Sequence, residues 1–224
     1  MRIVTFNIKH GLVTGSWWRV DGQRLARTCA GFDADLLALQ EVDRRSLRTG
    51  WADEVALVAR ATGLTASFGR TRRDLLRGCY GNALFARGEL SDVERLALPS
   101  PKGGEPRGAI LATAVVAETR LSVAATHLSI RGREAPLQLT TLLESLGRRP
   151  LPRVLLGDLN LGPEVVEPAV SGAGYVLAPT GATFPAERPE QRIDYIAVAG
   201  LEVVETEVPE VGVSDHRPVV AVVR

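Results

Sequence analysis

The run Ala109-Ile110-Leu111-Ala112-Thr113-Ala114-Val115-Val116-Ala117, then Glu118-Thr119-Arg120, then Leu121-Ser122-Val123-Ala124-Ala125-Thr126-His127-Leu128, decides what kind of fold this chain makes. Both flanks are apolar and strand-like, and only a short polar break separates them. That spacing reads as a hairpin, so at least part of the sheet is antiparallel. Further strand-like stretches lie on either side, at Ile3–Ile8, Asp35–Val42, Asn82–Arg87, Arg153–Leu156, Ile193–Ala199 and Pro218–Val222. Several alternate apolar with polar or small residues, as a half-buried strand does. Helical stretches fall between them: Asp21–Gly31, Ala52–Thr62 with Gly63 as its stop, Pro136–Gly147 with Pro in the first turn, and a short Pro163–Val170. Strand groups separated by helices suggest sheet packed on sheet with helices outside, an α+β or α/β layered fold.

With 224 residues the chain fits one domain, 1–224, long enough for a sizeable core. The Pro/Gly-rich stretch Pro99–Gly108 is too short for a linker and reads as a loop within that domain. The 27 basic residues against 26 acidic ones leave a net charge of +1, so there is no basic surplus of the kind duplex-binding proteins carry. Cys29 and Cys79 share no metal-like spacing and are read as free thiols. The first residues, Met1-Arg2-Ile3-Val4, already look like a strand and carry no apolar signal region, and no run is long enough to span a bilayer. A cytoplasmic monomer is the expectation.

Polar residues interrupt the apolar pattern mainly at strand ends: Asn7, Gln40-Glu41, Thr126-His127, Gly157-Asp158-Leu159-Asn160, Asp194, and Ser214-Asp215-His216. Each alone has a plain structural explanation as a turn, a cap or a solvated loop residue. Together they concentrate two of the three histidines and most of the chemistry-bearing carboxylates just past apolar strands, where loops of one sheet edge converge. The combination suits phosphate-ester hydrolysis. Carboxylate and amide oxygens hold a hard cation, a carboxylate deprotonates water, and His and Arg stabilise charge on phosphoryl oxygens. Soft-metal chemistry does not fit, because both Cys lie outside the set, and no Gly-X-Ser-X-Gly elbow marks a serine hydrolase.

Taken in order, Thr5-Phe6-Asn7, Leu39-Gln40-Glu41-Val42, Tyr80-Gly81-Asn82, Thr126-His127-Leu128, Gly157-Asp158-Leu159-Asn160, Arg192-Ile193-Asp194-Tyr195 and Ser214-Asp215-His216-Arg217-Pro218 resemble the motifs of the endonuclease/exonuclease/phosphatase family. The resemblance runs from residue 5 to 218. It implies a DNase-I-like α+β fold, a four-layer α/β-sandwich of two packed mixed sheets flanked by helices, with a site at one end. It also implies roles. Glu41 is the main Mg2+ ligand, with Asn7 and Asp215 assisting and Mn2+ as a possible substitute. Asp158 orients and deprotonates the attacking water, with Asn160 beside it. Asp194 fixes the ring of His216, and His127 contacts phosphate. Arg107 is placed like a phosphate-binding arginine, and Asn82 contacts substrate or orients His127.

Two departures bear on substrate. Members that cleave DNA at abasic sites carry Asp where Lys9 stands, and a Tyr-X-Pro-Asn motif where Thr126-His127-Leu128 stands. The expected substrate is therefore a phosphate mono- or diester of a small molecule or lipid headgroup. A DNase-I-like endonuclease or exonuclease is the alternative, and a catalytically dead binding module a third reading. The basic cluster Arg70–Arg77 is read as a solvated mobile loop, with a grip on a polyanionic substrate as the other reading. Trp17-Trp18 is read as a packing pair, with a pocket wall or lipid contact as the other possibilities.

Overall fold

The computed structural model describes residues 1–73, 78–100 and 104–224. Along the chain these form β1 (Arg2–Asn7), α1 (Gly22–Gly31), β2 (Leu36–Arg44), α2 (Glu54–Thr62), β3 (Thr65–Arg73), β4 (Cys79–Ala86), β5 (Leu90–Ala97), β6 (Gly108–Val116), β7 (Thr119–His127), α3 (Ala135–Gly147), β8 (Arg153–Asp158), α4 (Pro163–Gly172), β9 (Val176–Leu177), β10 (Asp194–Ala199), β11 (Val203–Glu207) and β12 (Val219–Val223). One sheet has the order β11-β12-β1-β2-β4-β3 and the other β5-β6-β7-β8-β10-β9. Each is mixed, with one parallel pair at its centre: β1 with β2, joined through α1, and β7 with β8, joined through α3.

The layering follows from the period of the strands. Ile3, Leu36, Ala38, Val123, Ala125, Val154, Leu156, Ile196 and Val198 meet between the sheets. Their neighbours Val4, Phe6, Leu37 and Leu39 turn outward against Leu25 and Cys29 of α1 and Val55 and Val58 of α2. On the far side Ala124, Leu155, Tyr195 and Ala197 pack against Leu139, Leu142 and Leu146 of α3 and Val166 and Val170 of α4. The central strands are thus apolar on both faces, which is why they read as nearly continuous apolar runs. The helices start where the sequence provides caps, with the Asp21 carboxylate accepting from Arg24 N and that of Asp53 from Ala56 N. Gly63 stops α2 in the left-handed conformation at φ 73°.

The hairpin read from residues 109–128 is β6–β7, but its turn is Ala117-Glu118, both at positive φ (46° and 66°), with Val116 opposite Thr119. A two-residue turn of that hand matches the twist of the flanking strands, and Thr119 and Arg120 belong to β7. The Arg70–Arg73 part of the basic cluster, expected in a loop, is the end of β3; Arg77 lies outside the described residues. Trp17 and Trp18, expected to pack, are exposed. Among the described residues, no helix is long and apolar enough to cross a membrane.

Candidate active site

Sheet topology explains why residues far apart in sequence meet. The parallel strands β1, β2, β7 and β8 all end at the same end of the sandwich, and the antiparallel strands β4, β6, β10 and β12 begin there. Asn7 is opposite Gln40, Asp158 is opposite both His127 and Asp194, and Gly108, next to Arg107, is opposite His127. A bulge in β2 between Leu39 and Val42 inserts an extra residue and leaves Glu41 at φ 56°, aimed out of the ladder. Lys9, His10, Asn160 and Ser214 also hold positive φ (43°, 45°, 49° and 74°). Such conformations cost energy in non-glycine residues and cluster where chain direction is subordinated to a site.

The cleft at this end has a volume of about 460 Å³. Asn7, Glu41, Arg107, His127, Asp158, Asn160, Asp215 and His216 all line it. Asp158 is its centre. Oδ2 of that carboxylate accepts from Asn7 Nδ2 at 2.9 Å and lies 3.4 Å from His127 Nε2 and 3.8 Å from His216 Nε2. Oδ1 accepts from the Asn160 backbone N–H at 3.0 Å, while the Asn160 amide donates to Leu128 O and ties the loop after β8 to that after β7. Asp194 lies behind His216, fully buried, with Oδ2 2.9 Å from Nδ1 of the ring and accepting from Thr183 Oγ1 at 2.6 Å. Ser214 Oγ donates to Asn7 O and accepts from His216 N, linking the first strand to the His216 loop, and Phe184 packs on the His216 ring at 4.8 Å.

Burial and charge push the titrations apart. Burial, reinforced by Asp194, raises the Asp158 carboxyl to about 7 against the opposing pull of His216, Asn7 and Asn160. Burial alone would depress His216, but the charge and hydrogen bond of Asp194, with Asp158 and Asp215, outweigh it and raise the imidazole to about 9. His127 has no such carboxylate behind it. Burial, then Arg107, His216 and Lys9, hold it well below its ordinary value, and its Nδ1 has no partner among the described residues. One histidine is therefore held charged and the other neutral beside one carboxylate that prefers a proton, an arrangement suited to acid–base work.

The other flank gathers a cation. Lys9 Nζ stands 3.7 Å from Glu41 Oε1 and 3.5 Å from Asp215 Oδ2, and Asn7 Nδ2 reaches Glu41 Oε1 at 3.2 Å. Burial would lower the Lys9 pKa, but Glu41 and Asp215 raise it above its ordinary value. Two carboxylates converging on a point that already attracts an ammonium, with the Asn7 amide beside them, are a fitting donor set for a hard divalent ion. Asp158, Asp194 and His216 also bring ligand atoms within 4.8 Å of one another, but hydrogen bonding accounts for that cluster.

Asn82 departs from expectation. It is buried and its amide donates to Gly108 O at 3.0 Å, bolting β4 to β6 beneath the cleft instead of lining it. The side chain of Arg107 is only 7% exposed, pairs with Glu105 at 2.8 Å and leaves its Nε without a partner. Sequence reasoning missed His10, Arg48 and Ile130 and gave no site role to Tyr80 of the Tyr80-Gly81-Asn82 motif or to Arg72 of the basic cluster, all of which line the cleft. Lys9-His10 directly follows the Asn7 motif and was the signal available. Arg48 and Arg72 lie over the Tyr80 ring at 5.4 and 5.1 Å, a stack no local pattern announces.

A family model described as the Endonuclease/Exonuclease/phosphatase family matches residues 4–216. No curated protein matches the sequence. Among solved structures, an endonuclease/exonuclease/phosphatase from Beutenbergia cavernae is 24% identical at a TM-score of 0.85, covering 100% of this chain and 71% of that one. The human Nocturnin catalytic domain with bound sulfate anion is 22% identical at a TM-score of 0.74, covering 100% and 94%. A mannosyl-6-phosphatase from Bacteroides thetaiotaomicron is 19% identical at a TM-score of 0.74, covering 100% and 99%. These likenesses are of fold.

Proposed function

The chain belongs to the endonuclease/exonuclease/phosphatase family, whose members are hydrolytic phosphoesterases and typically divalent-metal dependent, and from that premise we propose that it hydrolyses a compact phosphate mono- or diester, a small molecule or lipid headgroup, with a water activated by Asp158. The observation that carries this reading is the surroundings of Asp158 Oδ2: Asn7, His127 and His216 approach it from the cleft side, in a dry site that raises its proton affinity.

In this mechanism Asn7, Glu41 and Asp215 hold Mg2+, with Mn2+ as substitute. When bound there, the ion would supply charge that offsets the phosphate's own and eases development of negative charge on the ester oxygens. Asp158 takes a proton from the water as its oxygen bonds to phosphorus, and the ester P–O bond breaks. The leaving oxygen takes a proton from solvent, so one water is consumed and the ester divides into an alcohol and either phosphate, from a monoester, or a phosphate monoester, from a diester. Asn160 N–H holds the far oxygen of Asp158 in place. The charged His216 and Arg107 donate to phosphoryl oxygens, and neutral His127 donates one further bond from Nε2. Asp194 keeps His216 protonated and oriented.

The test is a screen with Mg2+ or Mn2+ over phosphate monoesters, diesters, phospholipids and nucleic acids, with Asp158→Asn as the blank. Turnover of a compact ester, lost by about 10²–10⁴-fold in Asp158→Asn, is expected for removal of a general base. Equal turnover in that variant sinks the assignment.

A further inference from the structure

All three tryptophans of the chain are exposed: Trp17 at 89%, Trp18 at 69% and Trp51 at 50%. Tryptophan is on average a well-buried residue, so a chain that leaves every copy in solvent is unusual. Their positions are not scattered. Trp17 and Trp18 sit on the loop after β1, which is closed on itself by the Leu12–Val20 bridge and joined by the Val13–Val213 bridge to the segment supplying Asp215 and His216. Trp51 and Leu47, the latter 61% exposed, share the loop after β2, where Trp51 N donates to Ser46 O. Ile130, 77% exposed, tops the loop after β7. Each loop also lines the catalytic cleft, through His10, Arg48 and Ile130. Ile130 thus lines the site itself, and the other exposed apolar side chains stand on loops that help to line it.

Charge accompanies them. An arginine stands beside each loop tip: Arg19 after Trp18, Arg45 before Leu47, Arg131 and Arg133 after Ile130, all exposed. The acids of the same loops are engaged inward. Asp21 caps α1, Asp53 caps α2 and pairs with Arg44, and Glu134 is buried against Ser129 while pairing with Arg131. Separate loop tips with indole and aliphatic ends above a ring of guanidinium groups do not make the flat, packed patch of a protein interface. They suit a fluid boundary into which each tip inserts alone while arginine meets anionic headgroups.

We infer that the mouth of the cleft docks on an anionic phospholipid surface through Trp17, Trp18, Leu47, Trp51 and Ile130. Docking presents the cleft to groups at the headgroup level, so the substrate is an ester borne by that surface; this last step rests on the phosphoesterase reading, whereas docking does not. A single-stranded nucleic acid also engages aromatic and basic groups, but bases stack on rings and gain nothing from Leu47 or Ile130.

The tryptophans are their own probes. Vesicles of phosphatidylcholine with one quarter phosphatidylglycerol, and the same vesicles with brominated acyl chains, are titrated into the wild type and the Asp158→Asn variant while indole emission is followed. Expected are a blue shift, quenching by the brominated chains, and equal binding by both proteins. The Trp17→Ala/Trp18→Ala variant, followed through Trp51, is expected to partition at least tenfold more weakly with an unchanged melting temperature and unchanged turnover of a water-soluble ester. Unaltered emission with vesicles at low salt overturns the inference, as does wild-type partitioning by the double variant, or a response to a single-stranded oligonucleotide and not to vesicles. Because binding is read without turnover, an inactive enzyme that still docks would refute only the phosphoesterase reading.

Discussion

Asp194 Oδ2 lies 2.9 Å from His216 Nδ1, and both groups are buried. An isolated imidazolium would lose its proton on such burial. The carboxylate behind it reverses the outcome and separates His216 from His127, whose ring faces the same Asp158 but has no acid behind it.

That contrast fixes a pH profile. Activity needs Asp158 without its proton and His216 with one, so it should rise through about pH 7 and fall through about pH 9. In Asp194→Asn the charge that raises His216 is gone. The alkaline limb should move to lower pH, and kcat should drop by about 10²–10³-fold, as for loss of an electrostatic donor. Rate profiles and the histidine nitrogen shifts by NMR both read this. An alkaline limb unmoved in the variant would show that His216 is not the titrating acid.

Gly157 sets the position of Asp158. A Cβ there would stand 2.2 Å from Thr126 O on the neighbouring strand. Gly157→Ala must push β8 away from β7 and carry Asp158 off its register with His127. Overpacking of this kind costs about 1–3 kcal/mol. Calorimetry should show a lower melting temperature, and turnover measured well below it should still be impaired. A variant that melts lower but turns over normally would mean that the strand spacing does not position the carboxylate.

The parts of the fold legible in the sequence were those buried on both faces. The strands missed, β3, β5, β9 and β11, are the four outer strands of the sheets. Their residues meet solvent on at least one side, as in Thr65–Arg73 and Val203–Glu207, so the apolar alternation that marks a strand is diluted and polar side chains mimic a loop. The same principle governs the site. Asn7, Glu41, Asp158 and His216 stand out because each is polar at the end of an apolar run, and the structure brings them to one cleft. Asn82 has the same sequence signature but turns between the sheets toward Gly108, a direction set by the packing of β4 against β6 of the other sheet and not by its neighbours. The contact of Arg48 with Tyr80 escaped notice because it is made only across elements.

Glu54 gives a stability test away from catalysis. Its Oε2 accepts from Asp43 N at 2.7 Å, Oε1 has no partner, and burial pushes the carboxyl up to about 8. The folded chain then keeps a proton that the unfolded chain releases near 4.5, so stability falls as pH rises between those values. Glu54→Gln keeps the acceptor and cannot ionise. Its melting temperature should decline less than that of the wild type between pH 5 and pH 8. Parallel declines would mean Glu54 is ionised in the folded protein throughout.

Lys9 and a metal ion compete for the same charge. The ammonium sits between Glu41 and Asp215, which the proposed mechanism gives to Mg2+. Unit charges near 4 Å interact by about 4 kcal/mol at intermediate dielectric, an upper bound that solvent reduces. Lys9→Ala should therefore bind Mn2+ more tightly, on the order of tenfold, read by electron paramagnetic resonance without any substrate. A chelator should abolish turnover in both proteins. Weaker Mn2+ binding in Lys9→Ala would place the ion elsewhere.

Duplex DNA should bind weakly and should not be nicked efficiently. Affinity for duplex comes mainly from phosphates neutralised by free Lys and Arg, with a salt slope of about −0.9 per phosphate. Inside the cleft the basic groups are already matched by acids: Arg48 with Asp43, Arg72 and Arg107 with Glu105, and Lys9 with Glu41 and Asp215. Outside it, Arg19, Arg45, Arg131 and Arg133 stand on separate loop tips, and Arg131 already faces Glu134. Among the described residues these groups and the exposed Arg70 and Arg73 at the end of β3 form no continuous track, so a shallow slope is expected, whereas proteins built for duplex reach far steeper values. The carboxylates of the cleft add repulsion until a cation is bound. A compact ester needs no long basic track, because Arg107, His127 and His216 all line one cleft. Fluorescence anisotropy with an intact and an abasic-site duplex across a salt series, together with plasmid nicking in Mg2+, measures both properties. Efficient nicking at physiological salt and low enzyme concentration, lost in Asp158→Asn, would make the chain a nuclease and remove the small-ester assignment.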